Sequence, residues 1–247
     1  MNPLSEQVAV IVGGAGGLGS ALGAELSRQG IQVILVDVDG PRVEKAAAKI
    51  AGRTVGLVMD ATDHESSALV IQNIVDRWGR IDIFVNAAGI TGKTGVLSHE
   101  VELEDFDRVM TVNVRTCLVT TRLVIPLMLK RGYGRVLHVA SIAGKEGNAG
   151  MVAYSASKAA VIGLTKTQGK EYADTGVTVN AIAPAVILTD LHDTMPADQI
   201  NYMTSKIPMK RCGTLEEFAR MAAFIVSPAA SFTTGFTFDL SGGRATY

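Results

Sequence analysis

Ser141, Tyr154 and Lys158 lie in the run SIAGKEGNAGMVAYSASK and bring a hydroxyl, a phenol and an ammonium into one short stretch of chain. That set suits proton transfer at an alcohol carbon, where a base takes the hydroxyl proton as a hydride leaves. On a helix a four-residue step turns about 400°, so Tyr154 and Lys158 project from nearly the same face one turn apart. Ser141 has to arrive from another element, and the apolar run VLHVA before it reads as a strand whose end delivers it. Tyrosine ordinarily titrates near pH 10, so a phenolate at neutrality requires a shift of roughly 3 units, or about 4 kcal/mol. An ammonium about 4 Å away at an effective dielectric of about 20 supplies interaction of that order. A lone YxxxK also fits an amphipathic helix start with surface Tyr and Lys, so the triplet has to be read with the rest of the chain.

A second constellation opens the chain. VAVIVGGAGGLG at residues 8–19 is a buried-strand run followed by Gly13, Gly17, Leu18 and Gly19, and then by the helical pattern SALGAELSRQG. A glycine-rich turn between strand and helix lets the backbone approach a pyrophosphate, which the helix N-terminus favours. The next apolar run, IQVILVDVDG, ends in Asp37. A carboxylate there can accept both hydroxyls of an adenosine ribose, whereas a 2′-phosphate would meet like charge. Gly14, Ala15, Gly16 and Val38 supply no basic side chain to offset that repulsion, so NAD is expected over NADP. Asp37 also fits a plain cap on the turn at Asp39, Gly40 and Pro41.

The elements that must position these groups alternate along the chain. Strands are expected over Val8–Val12, Val33–Val36, Val55–Met59, Ile83–Val85, Arg135–Val139, Val177–Ile182 and Phe236–Asp239. Helices are expected over Leu18–Gln29, Pro41–Ala51, His64–Trp78, Leu103–Lys130, Val152–Ala173 and Leu215–Ile225. Val- and Ile-rich runs without polar alternation suit strands covered on both faces, which predicts an α/β, doubly wound parallel sheet of about seven strands in one domain, 1–247. Ligands on such sheets bind beyond the carboxyl ends of the strands, where Gly13, Asp37, Asp60, Asn86 and Ser141 all fall. The polar stretch from Thr189 to Cys212 reads as a helical lid.

With those residues in order, the chain resembles the short-chain dehydrogenase/reductase family over essentially its whole length. The resemblance rests on GxxxGxG at Gly13, Gly17 and Gly19, Asp60 after the third strand, NAAG at Asn86 to Gly89, Asn113 in a long helix, and the Ser141, Tyr154, Lys158 set. It implies a Rossmann-type fold, with Tyr154 as general acid/base, Lys158 tuning the phenol and binding nicotinamide ribose, and Ser141 bonding the reacting oxygen. It further implies that Asn113 holds a proton-relaying water and that Asn86 and Gly89 lie along the cofactor. Asp60 and Ala61 would lie near adenine, and Pro184 with the Ile187 to Thr189 segment near the carboxamide. Asp60 within DATDHE reads equally as a helix N-terminal signal. The chain departs from the family at Val12, where Thr is frequent, and at Pro184-Ala185, where Pro-Gly is frequent. The first is expected to cost a local hydrogen bond, the second to alter backbone freedom beside the nicotinamide.

Composition narrows the partners. Lys+Arg 23 against Asp+Glu 24 offers no basic field for nucleic acid. Cys117 and Cys212 lack CxxC spacing and a histidine cluster, so free thiols in a reducing cytoplasm are expected and no metal site is indicated. No signal-peptide pattern and no apolar stretch of membrane-spanning length is expected. The ending SFTTGFTFDLSGGRATY, KEGNAG and SKIPMKR are similar to family members that oxidise 2-keto-3-deoxy sugar acids. The substrate is thus expected to be a small polar secondary alcohol or ketone, with a 3-oxoacyl-thioester reductase as the alternative enzyme and a cofactor sensor as the non-enzymatic one. Lys93, Lys145, Lys206 and Arg211 could meet a substrate carboxylate or be ordinary solvated side chains. His99, His138 and His192 are expected to be structural or exposed. LVTTRLVIPLML and AAVIGL put apolar positions on more than one helix face, which predicts a homotetramer, with GGRATY at a subunit boundary.

Overall fold

The computed structural model describes residues 6–188, 204–245 and 247. Seven strands form one parallel sheet: β1 Val8–Val12, β2 Gln32–Asp37, β3 Thr54–Val58, β4 Ile83–Asn86, β5 Gly134–Val139, β6 Val177–Pro184 and β7 Thr237–Leu240. Their order is β3-β2-β1-β4-β5-β6-β7. Each expected strand is present, with ends moved by one or two residues. The order turns at β1, which pairs with β2 on one side and β4 on the other, and so opens a crevice at the carboxyl ends of the strands. β6 runs on to Pro184 because it is paired there with Leu240 of β7; a proline at a strand end withholds no needed donor.

Helices cover both faces. They are α1 Gly17–Arg28, α2 Gly40–Ala48, α3 His64–Trp78, α4 Leu103–Met110, α5 Thr116–Arg131, α6 Ala143–Glu146, α7 Val152–Glu171 and α8 Leu215–Ile225. Leu22, Leu26, Phe218 and Ala222 pack on one side of the sheet, and Ile71, Ile74, Val124 and Met128 on the other. α2 starts at Asp39, whose Oδ1 accepts from the Arg42 amide at 3.1 Å. α3 starts at Asp63, which accepts from the Ser66 amide at 2.7 Å, so Asp63 rather than Asp60 is the cap in DATDHE.

The stretch expected as one helix from Leu103 to Lys130 is three pieces, because a π-helical turn over Thr111–Arg115 joins α4 to α5. The segment Leu103–Arg131 is long and apolar enough to cross a membrane by length and composition. That corrects the expectation that no such stretch exists. Half of its most apolar window is buried inside the protein, and α5 packs Val124, Ile125 and Met128 against the sheet as a core helix. Of the expected lid, residues 189–203 lie outside the described residues; Ile207 and Cys212 are buried beyond them.

A polar network crosses the interior between β4, β5, α5 and α7. Asn86 Nδ2 donates to His138 Nδ1 (3.2 Å), and His138 Nε2 meets Gln168 Oε1 (3.1 Å). Gln168 Nε2 then donates to Thr121 Oγ1 (2.9 Å), and Thr120 Oγ1 donates to Asn86 Oδ1 (3.0 Å). His138 is fully buried, and loss of solvation pushes its pKa down to about 4. The folded chain therefore keeps His138 neutral where the unfolded chain, titrating near 6.5, takes up a proton. Its contribution to stability is complete above about pH 6.5 and declines as pH falls towards 4, by on the order of 3 kcal/mol in all. Urea midpoints measured across that window should fall with pH, and less steeply in His138→Gln; equal slopes in the two proteins would exclude His138 as the source.

Candidate active site

The turn after β1 is built to bring backbone close to a ligand. Gly13 has φ 78°, and a Cβ there would lie 2.5 Å from the Ala88 nitrogen. The Gly13 and Gly14 amides donate to the Val36 carbonyl at 2.9 and 3.0 Å, tying the turn to β2. Gly19 presses the start of α1 onto the same turn, since a Cβ there would sit 2.4 Å from the Gly13 oxygen. The cap of α1, Gly16, carries no side chain to satisfy the first helical amides, and the first turn holds no acidic residue. Those amides and the helix dipole suit an anion such as a pyrophosphate. Asp37 closes the turn, with Oδ2 accepting from the Ala15 amide at 3.1 Å and Oδ1 from the Asp39 amide at 3.2 Å. Each carboxylate oxygen keeps acceptor capacity for a ligand hydroxyl.

A cleft of about 530 Å³ runs from Asp37 past Gly13, Val38, Asp60, Ala61 and Thr62 to Ala87, Gly89 and Ile90. The last three also border a recess of about 220 Å³, lined beyond them by Leu18, Ser141, Tyr154, Lys158, Pro184 and Ile187. The two hollows make one groove across the carboxyl ends of the strands. It joins the Asp37 carboxylate at one end to the Ser141, Tyr154 and Lys158 side chains at the other.

At the inner end Lys158 is buried, its Nζ donating to the Val139 carbonyl at 2.7 Å and lying 5.7 Å from the centre of the half-buried Tyr154 ring. The four-residue spacing on α7 does set them on one face. Ser141 follows β5, and its Oγ accepts from the Ala143 amide at 3.1 Å, starting α6. α6 then lies on α7 backbone to backbone, because a Cβ on Gly144 would approach Lys158 C to 2.5 Å. Ser141 and Tyr154 then line the same recess. Asn113, in the π-helical turn, grips the chain after the NAAG run. Its Oδ1 accepts from the Ile90 amide (2.8 Å), and its Nδ2 donates to the Ile90 carbonyl (2.9 Å) and to Ser157 Oγ (2.9 Å). Both amide donors are thereby used within the protein. Gly89 leaves room between these groups, since a Cβ there would come within 3.2 Å of Lys158 Nζ and 3.3 Å of Asn113 Oδ1.

Some expectations need correcting. Asn86 does not line the groove: it is buried beneath it, held by His138 and Thr120. Gly17 borders a neighbouring surface cleft, and Thr189 lies outside the described residues, as does His192. Asp60 lines the groove, but its Oδ1 already accepts from the Thr62 hydroxyl at 2.6 Å and the Thr62 amide at 2.9 Å, and these bonds lower its pKa. Three of the cations considered for a substrate are paired: Lys93 with Glu102 (2.6 Å), Lys145 with Asp239 (2.8 Å) and Arg211 with Glu217 (2.6 Å). The carboxyl-terminal segment folds back on its own chain, with Arg244 on Glu146 and Asn148 and with Lys145 donating to the Tyr247 carbonyl. The Ala185 amide donates a hydrogen bond to the Leu240 carbonyl at 2.9 Å. Its φ is not positive, so a Cβ where Gly is frequent brings no strain. Val12 is buried in β1, and its carbonyl accepts from the Ala87 amide at 2.9 Å. Arg42 was not singled out from the sequence, yet it lines the groove at the Asp37 end; its position in the first turn of α2, beyond the Asp39 cap, was the available signal.

A family profile described as enoyl-(acyl carrier protein) reductase matches residues 13–245. A 2-dehydro-3-deoxy-L-rhamnonate dehydrogenase (NAD(+)) of Sphingomonas sp. (strain SKA58) is 44% identical over 239 residues, covering 97% of this chain and 95% of that protein. A 3-oxoacyl-[acyl-carrier-protein] reductase of Thermotoga maritima is 35% identical, covering 97% of this chain and 98% of that protein. The crystal structure of an NAD+-bound xylitol dehydrogenase superposes with a TM-score of 0.91 at 28% identity, over 98% of this chain and all of the other. The groove and these likenesses agree: the chain belongs to the short-chain dehydrogenase/reductase family. It is an oxidoreductase of CH–OH groups.

Gly144→Ala tests the contact that sets Ser141. The added methyl meets main chain, which cannot swing aside. A cost of about 1–3 kcal/mol should lower Tm by roughly 2–10 °C; an unchanged Tm in scanning calorimetry would show that α6 and α7 have room between them.

Proposed function

We propose that this chain is an NAD-dependent dehydrogenase that oxidises a secondary hydroxyl of a sugar acid of the 2-keto-3-deoxy class. One observation carries the reading: Asp37 stands at one end of a single groove and the Ser141, Tyr154, Lys158 set at the other. The Sphingomonas relative, 44% identical, supports the substrate class. The glycine cradle and uncapped α1 fit a dinucleotide pyrophosphate. When bound, the nicotinamide supplies the hydride acceptor.

The chain's own groups handle the proton. Tyr154 accepts the hydroxyl proton, and the Lys158 ammonium stabilises the phenolate that serves as base. Ser141 donates to the reacting oxygen and fixes which face of the alcohol carbon is presented. Asn113 acts through Ile90, holding the floor of the recess. With both its side-chain donors engaged, it offers a water chiefly its main chain.

The 3-oxoacyl-thioester reductase is the second reading, supported by the Thermotoga relative. Asp37, disfavouring the 2′-phosphate of NADPH, weighs against it. Following NADH absorbance with sugar acids, polyols and 3-hydroxyacyl thioesters separates the two. Sugar acids should be oxidised with NAD preferred by at least about tenfold in kcat/KM, or about 1.4 kcal/mol. Tyr154→Phe should lose at least about a hundredfold in turnover while its NADH affinity stays within a few-fold. Preference for thioesters, or a Tyr154→Phe enzyme as fast as the parent, would overturn the reading; tight NADH binding with no turnover would leave a sensor.

We further propose a homotetramer working in the cytoplasm. α5 exposes Leu118 and Leu129, and a separate patch near β7 exposes Phe224, Phe232 and Phe236, so two unrelated apolar faces await cover. Two such faces pairing independently build a tetramer. Light scattering at micromolar concentration should give four times the chain's 26.0 kDa; a monomeric mass would refute it.

A further inference from the structure

Asp105, in the first turn of α4, is a buried carboxylate with no part in the proton transfer, yet it holds the chain that lines the recess. Its Oδ2 accepts from the Lys93 amide at 2.8 Å, and its Oδ1 from the Arg108 guanidinium at 2.5 Å. The Lys93 amide first, and then Arg108, holds its carboxyl below the usual carboxylate range. Gly92 makes the approach possible: its φ is 67°, and a Cβ there would lie 2.6 Å from Asp105 Oδ2. A buried, charge-assisted bond of this kind is expensive to leave unmade, so Lys93 is a fixed point of its loop.

Ile90 and Thr91 line the recess with Ser141 and Tyr154, and they are held from both ends. Asn113 grips Ile90 from the π-helical turn by two bonds. Asp105, earlier in the same run of helix, grips Lys93. Further on, the Gly95 amide donates to the Gly150 carbonyl at 2.9 Å, just before the helix that carries Tyr154. Lys93 borders neither the recess nor the Asp37 groove. We propose that Asp105 is a positioning residue for the substrate: with Asn113 it clamps the 90–93 run to one helical segment, so that this wall of the recess keeps its place relative to Tyr154 as an alcohol binds. The inference rests on the recess being the place of the alcohol, as in the proposed function.

Amide hydrogen exchange and steady-state kinetics test this together. Asp105→Ala should speed exchange over residues 89–95 by at least about fivefold and leave the glycine turn at residues 13–19 unchanged. With a 2-keto-3-deoxy sugar acid it should raise KM about five- to tenfold with kcat within about threefold, the pattern of lost substrate binding, while NADH affinity by fluorescence stays within about twofold. Asp105→Asn, whose amide oxygen can still accept from Lys93, should recover most of the KM. Glu102→Gln, which loosens only the exposed Lys93 ion pair, should change KM by less than about twofold. Unchanged exchange or unchanged KM in Asp105→Ala, or NADH affinity lost along with KM, overturns the proposal. If Asp105→Ala does not fold, Asp105→Ser, too short to reach the Lys93 amide, replaces it in each comparison. A parent enzyme that ignores sugar acids overturns the proposed function instead; Asp105 is then judged on the polyol or thioester that the parent does oxidise, and on exchange if it oxidises neither.

Discussion

The site depends on a buried ammonium. Lys158 is removed from water with one protein acceptor, the Val139 carbonyl at 2.7 Å, and a desolvated charge so sparsely met is costly unless something else answers it. Its two remaining donors therefore favour whatever negative or oxygen-bearing group enters the recess. The same bond ties α7 to the end of β5. Moving the charge would thus mean moving the helix that carries Tyr154.

Around that charge the chain keeps side chains out of the way. Gly89 leaves space between Lys158 and Asn113, Gly13 lets the first turn lie against Ala88, and Gly144 lets α6 touch α7. At Gly13 and Gly144 one methyl would separate two pieces of backbone; at Gly89 it would crowd the Lys158 and Asn113 side chains. Polar groups below the groove then fix the distances, through the chain from Thr120 to Asn86, His138, Gln168 and Thr121. Satisfied buried networks of this kind specify one packing because any partial rearrangement strands a donor or an acceptor.

What the sequence disclosed follows from where its signals are local. The parallel strands were legible because each is an apolar run covered on both faces, and α3 and α8 were legible to the residue because caps mark their starts. The Tyr154 and Lys158 pair was legible because a four-residue spacing has one meaning on a helix. Asn86 was misplaced because a motif gives a residue's position along a strand and not which way its side chain turns; the partner that claims it, His138, is 52 residues away. Lys145 and Arg211 looked available because Asp239 and Glu217, their partners, become neighbours only in the fold. Arg42 escaped notice for the converse reason: helix α2 folds it back towards a groove that its distance from the glycine turn does not suggest.

The π-helical turn at Thr111–Arg115 also constrains how this chain can change in length. A turn of that kind holds one residue more than an α-helix would, and each residue rotates a helix by about 100°. Asn113 faces Ile90 from within the turn, while Val124, Ile125 and Met128 face the sheet from the helix after it. Deleting one residue here would give a more regular helix, yet it could preserve only one of those two alignments. The irregularity is therefore a phase adjustment between the grip on Ile90 and the core, and it makes this segment intolerant of single-residue gaps.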